Sequence, residues 1–508
     1  MGKVAVISDK RPETETDANR VRAAFVRYLA LDGDDENPVH ERGIELIGAW
    51  VTGALDLDGA EVRRALFLER CVMESLSAYS AHLVHLALDG TLLTNGMTAD
   101  RMVCDGGLFL RGGFHATGRV RLLGARIGGN LECDKGRFEK IGGIAFHADG
   151  VQVSGGFFLR HGFHATGQVC FIGATVRGDL DCEAGVFENG SDEALVFGRS
   201  AIGGDAWLPN VRCQGGISLL GATIGGDLIC VGADLESEGG QALCCDRVRV
   251  EGMLALHSMK KIKGNIFLAS MRVGTLWDDS SSWPSTGGKL DLDGFAYDRF
   301  GGRAPTSAAY RIAWLDSQVP EHLATEFRPQ PWEQLVAVLR AMGHPEEARA
   351  VAIAKQDRLR RAKKVPRGTR AFHFLYGLLV GYGYRPMRLL AATASIWLLC
   401  ALAYWMATNP AWLGAETRLL APPRSEPGSA AARPDYRNFV PLVYSADVLL
   451  PVVDLGYKDE WQPVVADRAG NPLVWGQLLR FLYWFEIAFG WVAGLLLVGV
   501  LGNLIKKD

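Results

Sequence analysis

GARIGGNLEC (Gly124–Cys133), GATVRGDLDC (Gly173–Cys182) and GATIGGDLIC (Gly221–Cys230) are three versions of one decapeptide, starting 49 and then 48 residues apart. A second pair, GGLFLRGGFHATG (Gly106–Gly118) and GGFFLRHGFHATG (Gly155–Gly167), keeps the offset of 49. Near-copies at such a period are the signature of stacked supersecondary units. Within each copy, short apolar–polar alternations recur, as at Leu108/Leu110, Val120/Leu122 and Leu131/Cys133, separated by glycine turns. Strands this short cannot bury a face alone, but a coil buries it against the coils above and below. The expected fold is a mainly β solenoid, a right-handed parallel β-helix with coils of roughly 20 to 24 residues.

The alternation covers residues 45–300, the expected cytoplasmic β-helix. Ahead of it, ETDANRVRAAFVRYLALD (Glu15–Asp32) spaces Val21, Ala24, Phe25, Tyr28 and Leu29 as on one face of a helix, so residues 1–44 are expected to form an N-terminal helical cap. An exposed sheet edge invites aggregation, which gives such a cap a purpose. Behind the solenoid, PWEQLVAVLRAMGHPEEARAVAIAKQDRLRRAKK from Pro331 reads as a helical hairpin inside a 301–370 linker.

The repeats carry His115 and His164, and Cys133, Cys182 and Cys230, at matching places. Matching places predict ladders along the solenoid rather than a catalytic pair or a metal site. No CxxC occurs, and the spacing gives no sign of converging zinc ligands, so neither metal nor cofactor is expected. The opening MGKVAVISDKRPETETD has no long apolar run, so no secretory signal is expected, and ten cysteines fit free thiols in a reducing compartment. A net charge of −3 and a pI near 6.4 give no global attraction to nucleic acid, and no nucleic-acid partner is expected.

Residues 371–508 change character. RLLAATASIWLLCALAYWMAT predicts a first span over 388–408, and FLYWFEIAFGWVAGLLLVGVLGNLI a second over 481–505. Lys355, Arg358, Arg360, Arg361, Lys363, Lys364, Arg367 and Arg370 form a basic stretch before the first span, and Lys506 and Lys507 follow the second. The positive-inside rule then puts both termini in the cytoplasm, with the basic stretch against anionic lipid. The apolar, aromatic segment 371–386 is too short to cross and is expected at the interface.

Between the spans, 436–463 holds an apolar segment ended by Pro451 and an extended VVDLGYKDE strip, expected to be either re-entrant or interfacial. Span, short helix, strip and span is the layout of a two-span pore module. The strip is similar to a potassium-channel filter but has Lys458 in place of a glycine, which argues against carbonyl-ring selectivity. Asp447, Asp454, Lys458, Asp459, Glu460 and Glu486 are the candidate pore or gate residues. Glu486, placed early in the second span, is either functional or snorkels to the outer interface. Gly490 and Gly494 have the spacing of a helix-packing face.

VRAAFVRYLAL, GIELIGAWVTGALDLDGA, the GATIGGDL repeats, PWEQLVAVLRAMGHPEEARAVAIAKQ, GYGYRP and VLLPVVDLGYKDEW together resemble a bacterial family of pentapeptide-repeat-like β-helix proteins with a C-terminal two-span membrane module. The resemblance implies a β-helix on the bacterial inner membrane. Members are sometimes loosely called membrane-associated oxidoreductases, yet this chain has no GxGxxG after a strand, no CxxCH and no CxxC, nor HExxH, GxSxG or a P-loop. The expectation is therefore not an enzyme but a homo-oligomeric pore or gate with a sensing or docking β-helix. The alternative is a membrane-anchored scaffold that binds a cytoplasmic protein on the solenoid.

Overall fold

The computed structural model describes all residues except 1–4, 35–36, 285–287, 362–373, 375, 384–385, 409–418, 422–438, 467–469 and 506–508. The chain divides into two units, residues 1–358 and 359–508.

The first unit is a parallel β-solenoid of about 11 coils, with its short strands collected into a 21-stranded and a 16-stranded sheet. One inward column, Leu131, Phe157, Leu180, Ala206, Leu228 and Leu254, advances one coil at each step. The 49-residue repeat therefore spans two coils. Cys133, Cys182 and Cys230 are buried in the interior and are separated by Leu159 and Leu208, so the repeated cysteine is a core residue of every second coil. Phe114, Phe138, Phe163 and Phe187 stack inside it at centroid distances of 5.4, 5.2 and 5.4 Å.

The GG(N/D)L signature has a steric origin. Oδ1 of Asn130, Asp179, Asp205 and Asp227 accepts a backbone N–H from the next coil, donated by Gly156, Asp205, Asp227 and Met253 at 3.0, 2.9, 2.8 and 2.7 Å. The residue just before each donor is glycine. A Cβ at Gly155, Gly204, Gly226 or Gly252 would lie 2.2, 1.9, 2.0 or 2.1 Å from that same oxygen. Each coil's carboxylate or amide thus satisfies one amide and forbids one side chain above it. Gly226→Ala is expected to cost roughly 1–3 kcal/mol by overpacking. Part of that loss should return in Gly226→Ala/Asp205→Ala, seen as a non-additive denaturant midpoint.

The N-terminal end differs from expectation in one respect. The helix is shorter, Ala23–Ala30, because Arg20–Arg22 is already a strand on Trp50–Thr52, and Ala5–Val6 pairs with Leu46–Ile47. Rungs of two or three residues are too short to display alternation, so the solenoid begins before residue 45. The helix packs on the first coils, with Arg27 Nε donating to the Asp56 carbonyl at 2.6 Å.

At the far end, helices Ala308–Asp316, Pro320–Ala324, Gln330–Ala341 and Pro345–Arg361 follow the last strand, Ala296–Phe300. The last two are the expected hairpin. Gln330 and Gln334 donate to the carbonyls of Phe295 and Tyr297 at 3.1 and 2.6 Å, so the helix covers the sheet edge and occupies its acceptors.

The second unit contains helices Pro386–Thr408 and Val474–Ile505. Within them, Met387–Thr408 and Val474–Gly499 are long and apolar enough to cross a membrane. Their outer faces are apolar and exposed, at Leu398, Leu399 and Leu402 on one and Phe481, Trp484, Leu495 and Val498 on the other. A soluble surface rarely carries so much, whereas lipid accepts it. The chain is a membrane-anchored β-helix protein.

Candidate functional site

The short helix Pro441–Leu449 settles against both spans at mid-depth. Trp397, at the middle of the first span, donates its indole N–H to the Leu442 carbonyl at 2.9 Å. Glu486, at the middle of the second, is fully buried. Its Oε2 accepts from the Tyr404 hydroxyl at 2.8 Å, and its Oε1 meets the Ser445 hydroxyl. The expected early position of Glu486 is corrected, because the helix starts at Val474, seven residues before the expected 481. Snorkelling is corrected with it: the carboxyl is turned inward and joins three helices.

Ser445 also lies 3.1 Å from the Trp397 carbonyl. One hydroxyl proton cannot serve two acceptors. Ser445 therefore donates to the Glu486 carboxyl or to the Trp397 carbonyl at any one moment.

Gly490 permits this seat. A Cβ there would lie 1.8 Å from the Leu449 carbonyl oxygen, while one at Gly494 would meet nothing within 4 Å. The expected small-residue face is therefore used at Gly490 by the short helix of the same chain. Leu449 touches the second apolar helix one turn beyond the midpoint of Val474–Gly499, so Pro441–Leu449 packs beside the middle of that helix.

Asp447 shapes the strip beyond this helix. It is 1% exposed, and its carboxylate accepts the backbone amides of Leu455, Tyr457 and Lys458 at 2.7, 2.8 and 2.9 Å. The strip is thereby folded back, through Gly456 at φ 77°, into the one-turn helix Tyr457–Glu460. A carboxylate holding three amides fixes a loop as tightly as a helix cap does. Lys458 Nζ lies 4.0 Å from Asp447 and 3.7 Å from Asp454. Of the six candidates, Asp447, Asp454 and Lys458 converge, and Glu486 stands apart in the three-helix contact. Asp459 is exposed, and Glu460 keeps one buried oxygen without a hydrogen-bond partner among the described residues. Before the first span, Val380 packs with Leu389 in that span's first turn and with Ala493, so the segment expected at the interface rests on the later part of the second span.

The basic stretch divides. Lys355 pairs with Glu333 at 3.3 Å and Arg358 with Asp316 at 2.5 Å, Arg360 lies 5.2 Å from the Phe374 ring, and Arg361 is exposed at its helix end. Lys363, Lys364, Arg367, Arg370, Lys506 and Lys507 lie outside the described residues.

On the solenoid, the repeated GG-x-F-L-R motif is a staple. The rings of Phe109 and Phe158 fold over Gly107 and Gly156, where a Cβ would lie 2.8 and 2.5 Å from them. Arg111 and Arg160 stack 4.3 Å above those rings. Arg111 then pairs with Asp89 and Glu132 at 3.0 and 2.7 Å, and Arg160 with Asp134 and Asp181 at 3.2 and 2.8 Å. His115 and His164 share one column with Arg137 between them, and each faces its own glutamate, Glu139 at 3.2 Å and Glu188 at 3.1 Å. They form a ladder and do not meet.

One group does converge that the spacing hid. His147 Nε2 lies 3.0 Å from Asp149, and Cys170 Sγ lies 3.2 Å from the same carboxylate. Burial, and then the bond to Asp149, pushes the Cys170 thiol up to about 12. Burial raises the Asp149 carboxyl, but the bonds from His147, Cys170 and the Ile172 amide outweigh it and hold it below its ordinary value. The signal that could have found the group is the coil length, which sets Cys170 beside His147.

No known family, curated protein or solved structure matches this chain.

Proposed function

We propose that several copies of the chain assemble into a pore or gate in the bacterial inner membrane, with the solenoid on the cytoplasmic side as a sensing or docking domain. The observation that carries this reading is the helix Pro441–Leu449 packed beside the middle of the second span, which we read as re-entrant, and the strip after it. Leu449 sits just past mid-span, and the next residues leave the helix with Val452 89% exposed and the Asp454 side chain 67% exposed. Open backbone and a carboxylate at that depth are tolerated only where protein or water surrounds them. One copy supplies neither, because two spans and one short helix enclose no lumen. A ring of copies supplies both, with Asp454 toward the water and the exposed span faces toward lipid and neighbours.

Asp447 and Glu486 then hold the strip and the re-entrant helix in place, and Asp454 is the charge that an ion would meet. Purified protein in planar bilayers is expected to give discrete conductance steps. Asp454→Asn should reduce cation preference, and Glu486→Gln should alter opening with little effect on selectivity. Silence from folded, oligomeric protein across voltages, together with full cellular function after exchange of the spans for an unrelated two-span anchor, would replace this reading with that of a membrane-tethered scaffold.

A further inference from the structure

His147 and Cys170 are register partners on consecutive parallel strands, so their side chains leave the wall on the same side, about 4.8 Å apart along the solenoid. Asp149, two residues after His147, completes a group whose ligand atoms all lie within 4.8 Å of one another. The carboxylate alone has an ordinary duty. Asp58, Asp100 and Asp246 occupy similar turns and accept the amides of Tyr79, Leu123 and Ala269 at 2.8, 3.1 and 2.8 Å, as Asp149 accepts that of Ile172 at 2.8 Å. In those coils the two places taken here by His147 and Cys170 hold Asp56 and Ser77, Thr98 and Arg121, and Cys244 and Phe267. An imidazole and a thiol together are found at Asp149 and not at the other three, and capping an amide requires neither.

We propose that His147, Asp149 and Cys170 bind one zinc(II) ion on the solenoid wall. Nitrogen, sulfur and carboxylate donors suit zinc and disfavour calcium or magnesium, which take oxygen. Two protons now hold the group together, one between His147 and Asp149 and one between Cys170 and Asp149. Zinc replaces both: the S–H bond breaks and its proton passes to solvent, the proton on His147 Nε2 leaves to solvent while the ring keeps or takes one on Nδ1, and the thiolate sulfur and the neutral imidazole's Nε2 each give the metal a lone pair. Side-chain exposure of 18% at His147 and 36% at Asp149 leaves an entry path and room for water as the fourth ligand. Arg121, the register partner of His147 on the preceding coil, is turned to Asp100 at 2.5 Å, which spends its charge away from the ion. The bound metal would tie two coils together, which suits a zinc-responsive sensing domain.

The test uses full-length protein in detergent, kept reduced, with zinc content measured after dialysis and cobalt(II) added as a spectroscopic probe. The expected result is one zinc per chain and a thiolate-to-cobalt charge-transfer band, both lost in Cys170→Ser and in His147→Gln. His147→Gln changes a ring at the wall surface and decides the matter even if Cys170→Ser fails to fold. Absence of zinc and of the band in the wild type overturns the proposal, as does metal binding that survives His147→Gln.

Discussion

Asp278→Ala is expected to destabilise the C-terminal end of the solenoid by about 3–5 kcal/mol, the cost of leaving one member of a buried ion pair uncompensated. Arg311 and Asp278 are both fully buried at their side chains and share two bonds of 2.7 Å. Arg311 Nε also donates to the Pro305 carbonyl at 2.7 Å, and its guanidinium lies 3.8 Å from the centre of the Phe300 ring. Trp283 donates its indole N–H to Asp278 Oδ2 at 3.0 Å, the oxygen that also accepts from Arg311 Nη1. The pair thus joins the last coils, through Asp278 and Phe300, to the first capping helix. Without Asp278 a guanidinium is left among Phe300, Tyr310 and Trp314 with no counter-charge. Limited proteolysis should then cut near residues 278–320 well before the central coils, and the thermal midpoint should fall. An apolar double replacement, Asp278→Leu/Arg311→Met, should recover most of the loss, since a well-packed apolar pair often equals a buried salt bridge. A single-variant cost below about 1 kcal/mol would show that the pair does not hold the cap, because exposed pairs have that worth.

Gly490→Ala is expected to unseat the helix Pro441–Leu449, while Gly494→Ala, one turn away, should be silent. The contrast is steric: the new methyl would lie 1.8 Å from a backbone oxygen in the first case and in open space in the second. A backbone carbonyl cannot rotate aside as a side chain does, so the whole helix must move. Moving it separates Ser445 from Glu486 and leaves the carboxyl at mid-span with Tyr404 as its remaining hydroxyl partner. Overpacking and the lost hydrogen bond together are worth roughly 3 kcal/mol or more. Melting of the detergent-solubilised protein should fall for Gly490→Ala and not for Gly494→Ala, and any conductance should disappear only in the former. Equal behaviour of the two variants would show that the short helix is not seated on Gly490 in the membrane.

Where reading the chain succeeded, the information was periodic. Leu131, Phe157 and Leu180 differ in type but occupy one environment, repeated coil after coil, so alternation and a constant offset suffice to predict stacking. Where it failed, the partners came from elements with no fixed relation along the chain. Ser445 and Tyr404 lie 41 and 82 residues from Glu486 on two other helices. The early placement of Glu486 had a more local cause: the expected start of the second span is 481, yet the helix begins at Val474.

By itself the sequence determined the solenoid, its 49-residue repeat, the helical hairpin behind it and the two apolar helices, because each follows from a local pattern of burial repeated along the chain. Only the tertiary structure decided that Glu486 is locked between three helices, that Asp447 folds the strip back, and that His147, Asp149 and Cys170 share one point on the wall. Those contacts depend on how particular helices approach and on where one coil lies over the next to within an ångström or so. Hydrophobic patterning selects which face is buried, and it leaves the approach of individual side chains to packing.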